Sequence, residues 1–92
     1  MDVVLAHNSV FANTADGILV TNSANVLIDR NRAGRNGDDG IDVESPGVTI
    51  SSNIANFNAD FGIEAVPGVI DGGGNKAHGN GNPAQCVNVQ CK

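Results

Sequence analysis

Apolar residues along this chain alternate with polar ones in short runs, and no stripe of ten or more residues follows helical spacing. The runs keep one frame. Val3, Val26, Val48 and Ile70 open it, and Leu5, Ile28 and Ile50 follow two residues later. Val10, Ala33, Ala55 and Ala77 come next, and the pairs Ile18/Val20, Ile41/Val43 and Ile63/Ala65 close each unit. Such alternation puts one set of side chains on one face of an extended strand, so each unit predicts two or three short strands.

Polar columns keep the same frame. Asn8, Asn31, Asn53 and Asn75 stand 23, 22 and 22 residues apart, and a second asparagine follows each by five: Asn13, Asn36, Asn58 and Asn80. Nine residues after the first three come Gly17, Gly40 and Gly62. A period of about 22 is short for helix pairs, and the leucine-rich pattern L-x-x-L-x-L is missing. The chain therefore reads as all-β, a parallel β-helix of about four coils, at 3–24, 25–46, 47–68 and 69–92. Equivalent strands pair one coil apart, about 4.8 Å along the axis.

This geometry explains the columns. Val, Ile and Leu stack inside the tube, with alanine in a narrower corner. Asparagine tolerates left-handed backbone at a turn, and its amide can bond the same amide one coil away. Glycine heads each strand where positive φ or close approach is needed. The extra residue of the first interval falls within Thr21 to Asn25, an exposed turn that tolerates insertion. The fourth unit decays: Gly72, Gly73 and Gly74 replace the strand pattern, Ala84 stands where glycine is due, and Cys86 takes the glycine position. It reads as a degenerate closing edge. Val3, Val4 and Leu5 begin directly as a coil strand, so the N-terminal face is expected to be continued by further coils or covered by a partner.

Composition narrows the function. Aromatics are 3% of 92 residues, with no Trp or Tyr, and the formal charge is −5. That charge, with no aromatic and basic interleaving along the chain, argues against nucleic acid. No run has the length of a membrane span, and Met1 to Val10 lacks the pattern of a signal peptide. Arg30, Arg32 and Arg35 form one basic cluster, read as a solvated face beside acids. Cys86 and Cys91 offer too few ligands for zinc; a terminal disulfide is preferred over free thiols and implies an oxidising compartment.

With the columns set, the chain resembles the right-handed parallel β-helix repeat family, the pectin-lyase-like superfamily. The runs "NTADGILVTNSANVLIDRN", "NGDDGIDVESPGVTISSN" and "FNADFGIEAVPG" carry the resemblance over nearly the whole chain. The ending "GGGNKAHGNGNPAQCVNVQC" is similar to the C-termini of secreted bacterial members, implying a secreted protein of bacterial type. Polygalacturonases of that superfamily carry Asn-Thr-Asp-Gly on one coil, paired aspartates on the next, then Gly-His-Gly and Arg-x-Lys. Here Asn13, Thr14, Asp16 and Gly17 match the first with Ala15 intruding, and Asp38 and Asp39 match the second. Asp60 and Phe61 replace the Gly-His pair, and no Arg-x-Lys follows.

Three readings of Asp16, Asp38 and Asp39 follow. Stacked carboxylates can divide into a protonated acid and an ionised base or nucleophile, the requirement of glycosidic cleavage. Together with Asp42 and Glu64 they could instead supply oxygens to calcium. Asp before Gly is also ordinary turn chemistry, copied from coil to coil by repetition. The turn reading leads, because the histidine and cations of the family's sugar site are missing. Asp42, Glu44 and Glu64 are expected to form an outward acidic strip. His7 and His78 read as turn residues near one column, three coils apart. The sequence therefore points to a structural or binding module with a weak polysaccharide-facing surface and incomplete catalytic machinery, with a polysaccharide-cleaving remnant as the alternative; no cofactor is required.

Overall fold

The computed structural model describes residues 3–92; the domain start read at residue 1 lies outside them. It is an all-β solenoid whose twelve short strands wind into three parallel sheets, with extents of 33 × 21 × 20 Å. The first sheet holds β1 (Val3–Ala6), β4 (Val26–Asp29), β7 (Thr49–Ser51) and β10 (Ile70–Gly73). The second holds β2 (Ser9–Phe11), β5 (Arg32–Gly34), β8 (Ile54–Asn56) and β11 (Lys76–His78). The third holds β3 (Ile18–Val20), β6 (Ile41–Val43), β9 (Ile63–Ala65) and β12 (Cys86–Val87).

The alternation in the sequence becomes an inside and an outside. Ile28, Ile41, Ile50 and Ile63 are wholly buried along the axis, each contributing about 1.5–3 kcal/mol through removal from water. Ala33, Ala55 and Ala77 stack in register on the inner face of the second sheet. The glycine column faces them. A Cβ at Gly40 would lie 2.7 Å from both the Gly62 carbonyl oxygen and Asn58 Nδ2, and 3.1 Å from the Ala55 Cβ. Of the two reasons for glycine, close approach is the one observed: Gly17, Gly40 and Gly62 are absent from the positive-φ residues.

The left-handed backbone lies one residue earlier than expected. The ladder asparagines are not in that region; the residue before each one is. At the first corner His7, Arg30, Ser52 and Gly74 have φ of 59°, 54°, 56° and 73°. At the second, Ala12, Arg35, Phe57 and Gly79 have 59°, 54°, 60° and 66°. Each corner is thus one left-handed residue followed by one buried asparagine. Six of these eight residues carry a Cβ, which makes the corner costly unless the asparagine holds it.

The insertion falls within the turn expected for it, and two register details of the fourth coil differ. The extra residue of the first interval is Thr21 or Asn22, since Val20 pairs with Val43 while the Ser23 N–H donates to Ser45 Oγ at a separation of 22. In the fourth coil Ile70 pairs with Thr49, so Ile70 turns outward and is 54% exposed, while Val69 packs on the core in its place. A bulge between Asp71 and Gly73 restores the register, so Gly72 and Gly73 remain in the strand. Gln85 occupies the glycine position ahead of β12, because Cys86 pairs with Ile63.

Candidate functional site

The two asparagine ladders set the frame in which the aspartates sit. In the first, the backbone N–H and Nδ2 of Asn31 both donate to Asn53 Oδ1 at 2.9 and 3.1 Å, and those of Asn53 donate to Asn75 Oδ1 at 3.0 and 3.1 Å. Each Nδ2 also donates to a carbonyl of the coil behind: Asn31 to Leu5, Asn53 to Ile28, Asn75 to Ile50. The second ladder repeats this through Asn13, Asn36, Asn58 and Asn80. It ends on Gln85, whose Oε1 accepts from both the N–H and Nδ2 of Asn80. Sequence reasoning missed Gln85; its signal was an amide side chain five residues beyond the last ladder asparagine.

The aspartates occupy the turn between the second ladder and the third sheet. Asp16 and Asp39 stack in one column, as the frame predicts. Asp16 Oδ1 accepts the Asp39 N–H at 3.0 Å, and Asp39 Oδ1 accepts the Phe61 N–H at 2.9 Å. Each carboxylate thus ties down the backbone of the next coil, as the asparagines do. Asp38 heads a neighbouring column with Asp60 and Asn82: its carbonyl accepts the Asp60 N–H, and Asn82 Nδ2 donates to Asp60 Oδ1 at 3.3 Å. Asp42 and Glu64 pair in register across β6 and β9 on the outer face.

Burial separates these acids. Asp39 is 1% exposed, whereas Asp38 lies on the surface and Asp42 is half-buried. Removal from water pushes Asp39 up to about 8, helped by the Glu64 carboxyl beside it and opposed by the Phe61 N–H. Asp42 is pushed up to about 7, by burial first and then by Asp16 and Glu44. Asp38 is also raised, by residual burial and then by Asp16 and Asp60. Asp39 therefore favours its protonated form near neutral pH.

Two trios each offer carboxylate oxygens within 4.8 Å of one another: Asp16, Asp39 and Asp42, and Asp38, Asp39 and Asp60. Among the described residues Glu64, expected in a calcium set, joins neither trio, and Asp60, not expected, joins the second. Oxygen ligands at this spacing suit a hard cation chemically. Asp39 is common to both trios, yet it is withdrawn from solvent and already committed to the Phe61 amide.

Cys86 and Cys91 form a disulfide, and Cys91 pairs alongside Asn75 of the last coil, where the Lys92 N–H donates to the Asn75 carbonyl. His7 sits at the first corner and His78 ends β11, so the two do not share a turn column. Arg30 pairs with Asp29 at 3.2 Å; among the described residues Arg32 and Arg35 make no ion pair.

No curated protein and no solved structure matches this chain. The profile of the right-handed β-helix region matches residues 1–91, and on that match, three parallel sheets and two asparagine ladders, the chain belongs to the right-handed β-helix family.

Proposed function

We propose that the protein is a structural and binding module of a secreted protein, presenting the strand faces of a β-helix to polysaccharide without catalytic machinery of its own. The observation that carries this reading is the use made of Asp39. A carboxyl that is 1% exposed and bonded to the Phe61 amide serves the turn, and it is badly placed to protonate a glycosidic oxygen arriving from solvent. Export to an oxidising compartment accords with the Cys86–Cys91 bridge. On this reading the unpaired edges of β1, β2 and β3 are continued by further coils or by a partner.

A polysaccharide-cleaving remnant centred on Asp16, Asp38 and Asp39 is the second reading. The retained proton of Asp39 favours it, since a general acid must hold its proton near neutral pH. Reducing-end release from an oligogalacturonide distinguishes the two. The module reading predicts no release by wild-type protein, with retention on the polysaccharide measured separately by affinity electrophoresis. Release that disappears in Asp38→Asn and Asp39→Asn establishes the enzyme instead.

A further inference from the structure

The second asparagine ladder carries a chemical hazard that the fold itself creates. The sequence holds two Asn–Gly pairs, Asn36–Gly37 and Asn80–Gly81, and both asparagines are rungs of that ladder, two coils apart. Close packing puts the glycines there. A Cβ at Gly37 would collide with the Thr14 carbonyl oxygen, and one at Gly81 with the carbonyl oxygen of Ala59. Glycine after asparagine leaves its backbone nitrogen unobstructed and the backbone free to turn it toward the side-chain amide. Attack of that nitrogen on Cγ forms a C–N bond and expels the amide nitrogen as ammonia, which carries off the N–H proton. Water then opens the cyclic imide to aspartate or isoaspartate.

The folded coils withhold this geometry. The Gly37 N–H donates to the Asn13 carbonyl at 2.8 Å, and the Gly81 N–H to the Asn58 carbonyl at 2.9 Å. The Asn36 amide donates to Asn58 Oδ1 and the Val10 carbonyl and accepts from Asn13. The Asn80 amide donates to Gln85 Oε1 at 2.8 Å and to the Ala55 carbonyl at 2.9 Å, and accepts from Asn58. A nitrogen held by one coil and an amide fixed at both its atoms do not reach the alignment that attack requires. What closes the two locks differs. Asn36 is clasped between ladder asparagines, Asn13 and Asn58, whereas on its far side Asn80 meets Gln85. Gln85 directly precedes Cys86, and the bridge to Cys91 ties that segment back to Asn75.

We propose that Asn80–Gly81 is a site of spontaneous deamidation, guarded by the cap from Gln85 to Lys92, and that its conversion releases that cap. The site is independent of any polysaccharide ligand. Aspartate at 80 keeps the acceptor that Asn58 uses and loses the donor that serves Gln85 and Ala55. The carbonyl of wholly buried Ala55 is then orphaned, and a carboxylate faces Gln85 Oε1, acceptor against acceptor. Isoaspartate also adds an atom to the backbone, which moves the Gly81 N–H off the Asn58 carbonyl. Opening of the cap exposes the pair, and conversion of the pair keeps the cap open, so the change runs one way. Asn36–Gly37 has the same chemistry with its lock inside the stack, and it is the internal comparison.

Peptide mapping by mass spectrometry tests this on the whole chain held at one mildly alkaline pH, oxidised, reduced or in denaturant. In denaturant Asn36 and Asn80 should convert equally fast, with Asn58, which precedes Ala59, well behind. In the folded, oxidised protein both pairs should slow, with Asn80 about tenfold ahead of Asn36 because the cap opens more readily than the stack. Reductant, or Gln85→Ala without reductant, should speed Asn80 about tenfold further and leave Asn36 unchanged. Asn80→Asp, made directly, should raise hydrogen exchange from Cys86 to Lys92. Conversion of Asn80 as fast in the folded protein as in denaturant, or no faster than Asn36 under any folded condition, overturns the guarded site. Equal acceleration of Asn36 by reductant and by Gln85→Ala overturns it too, since the cap would then support the whole stack. Unchanged exchange in Asn80→Asp overturns the release of the cap.

Discussion

The asparagine ladder and the aspartate column solve the same problem with different chemistry. Asn31, Asn53 and Asn75 continue without limit, because an amide both donates and accepts. Each oxygen receives two bonds from one neighbour while the amide nitrogen serves the coil behind. Asp16 and Asp39 use the acceptor half only. An ionised carboxyl cannot donate to the next carboxyl, so each added coil stacks charge on charge in a buried site. The column stops after two: Phe61 takes the next place and offers only its N–H. An amide column propagates. A carboxylate column is stable only while it is short or protonated.

Breaking the ladder should be the most damaging change. In Asn53→Ala the Asn31 N–H and the Ile28 carbonyl lose partners inside a site with 0% exposure. Two or more orphaned buried groups, at about 1–3 kcal/mol each, should cost about 3–5 kcal/mol in a denaturant melt. Asn53→Ala no worse than the exposed-end variant Asn8→Ala would show that the ladder is decoration. Gly40→Ala comes next, at about 1–3 kcal/mol, because the new methyl meets the Gly62 carbonyl and the backbone must shift. A neutral Gly40→Ala melt would mean the coils separate more easily than their geometry implies. The bridge between Cys86 and Cys91 closes a short loop, so paired Cys→Ser replacement should cost at most about 2 kcal/mol. A larger loss would make the C-terminal segment a principal support of the core.

The period revealed the stack, and with it the inner columns, the alanine corner, both ladders and the superposition of Asp16 on Asp39. Its limits are equally physical. A repeat says which residues lie above one another, and it leaves their backbone angles open. The asparagines looked like the left-handed residues because asparagine tolerates that region, yet Arg30, Arg35 and Phe57 carry it under tertiary constraint. A one-residue slip reverses a strand's faces, so Ile70 turned out and Val69 turned in where composition could not separate them. Asp39 was legible as a stacked aspartate; its hold on a proton was not, because that depends on burial and on Glu64 and Phe61 of another coil.

The claim that Asp39 is a buried turn acceptor is tested most directly by denaturant melts of wild-type protein, Asp39→Asn and Asp39→Ala on both sides of neutrality. Folding raises Asp39 from 3.8 to about 8 and Asp42 to about 7. Raised acids contribute stability that is complete below 3.8 and is lost as pH climbs through 7 and 8. Wild-type protein should therefore melt at lower denaturant above pH 8 than near pH 5, the upper limb following the value for Asp39. Asp39→Asn mimics the protonated acid: it should flatten this decline and match or exceed wild type above pH 8, still accepting the Phe61 N–H. Asp39→Ala should lie about 0.5–2 kcal/mol lower, having lost the acceptor. Asparagine as unstable as alanine, or a wild type that gains stability as pH rises, would contradict the account.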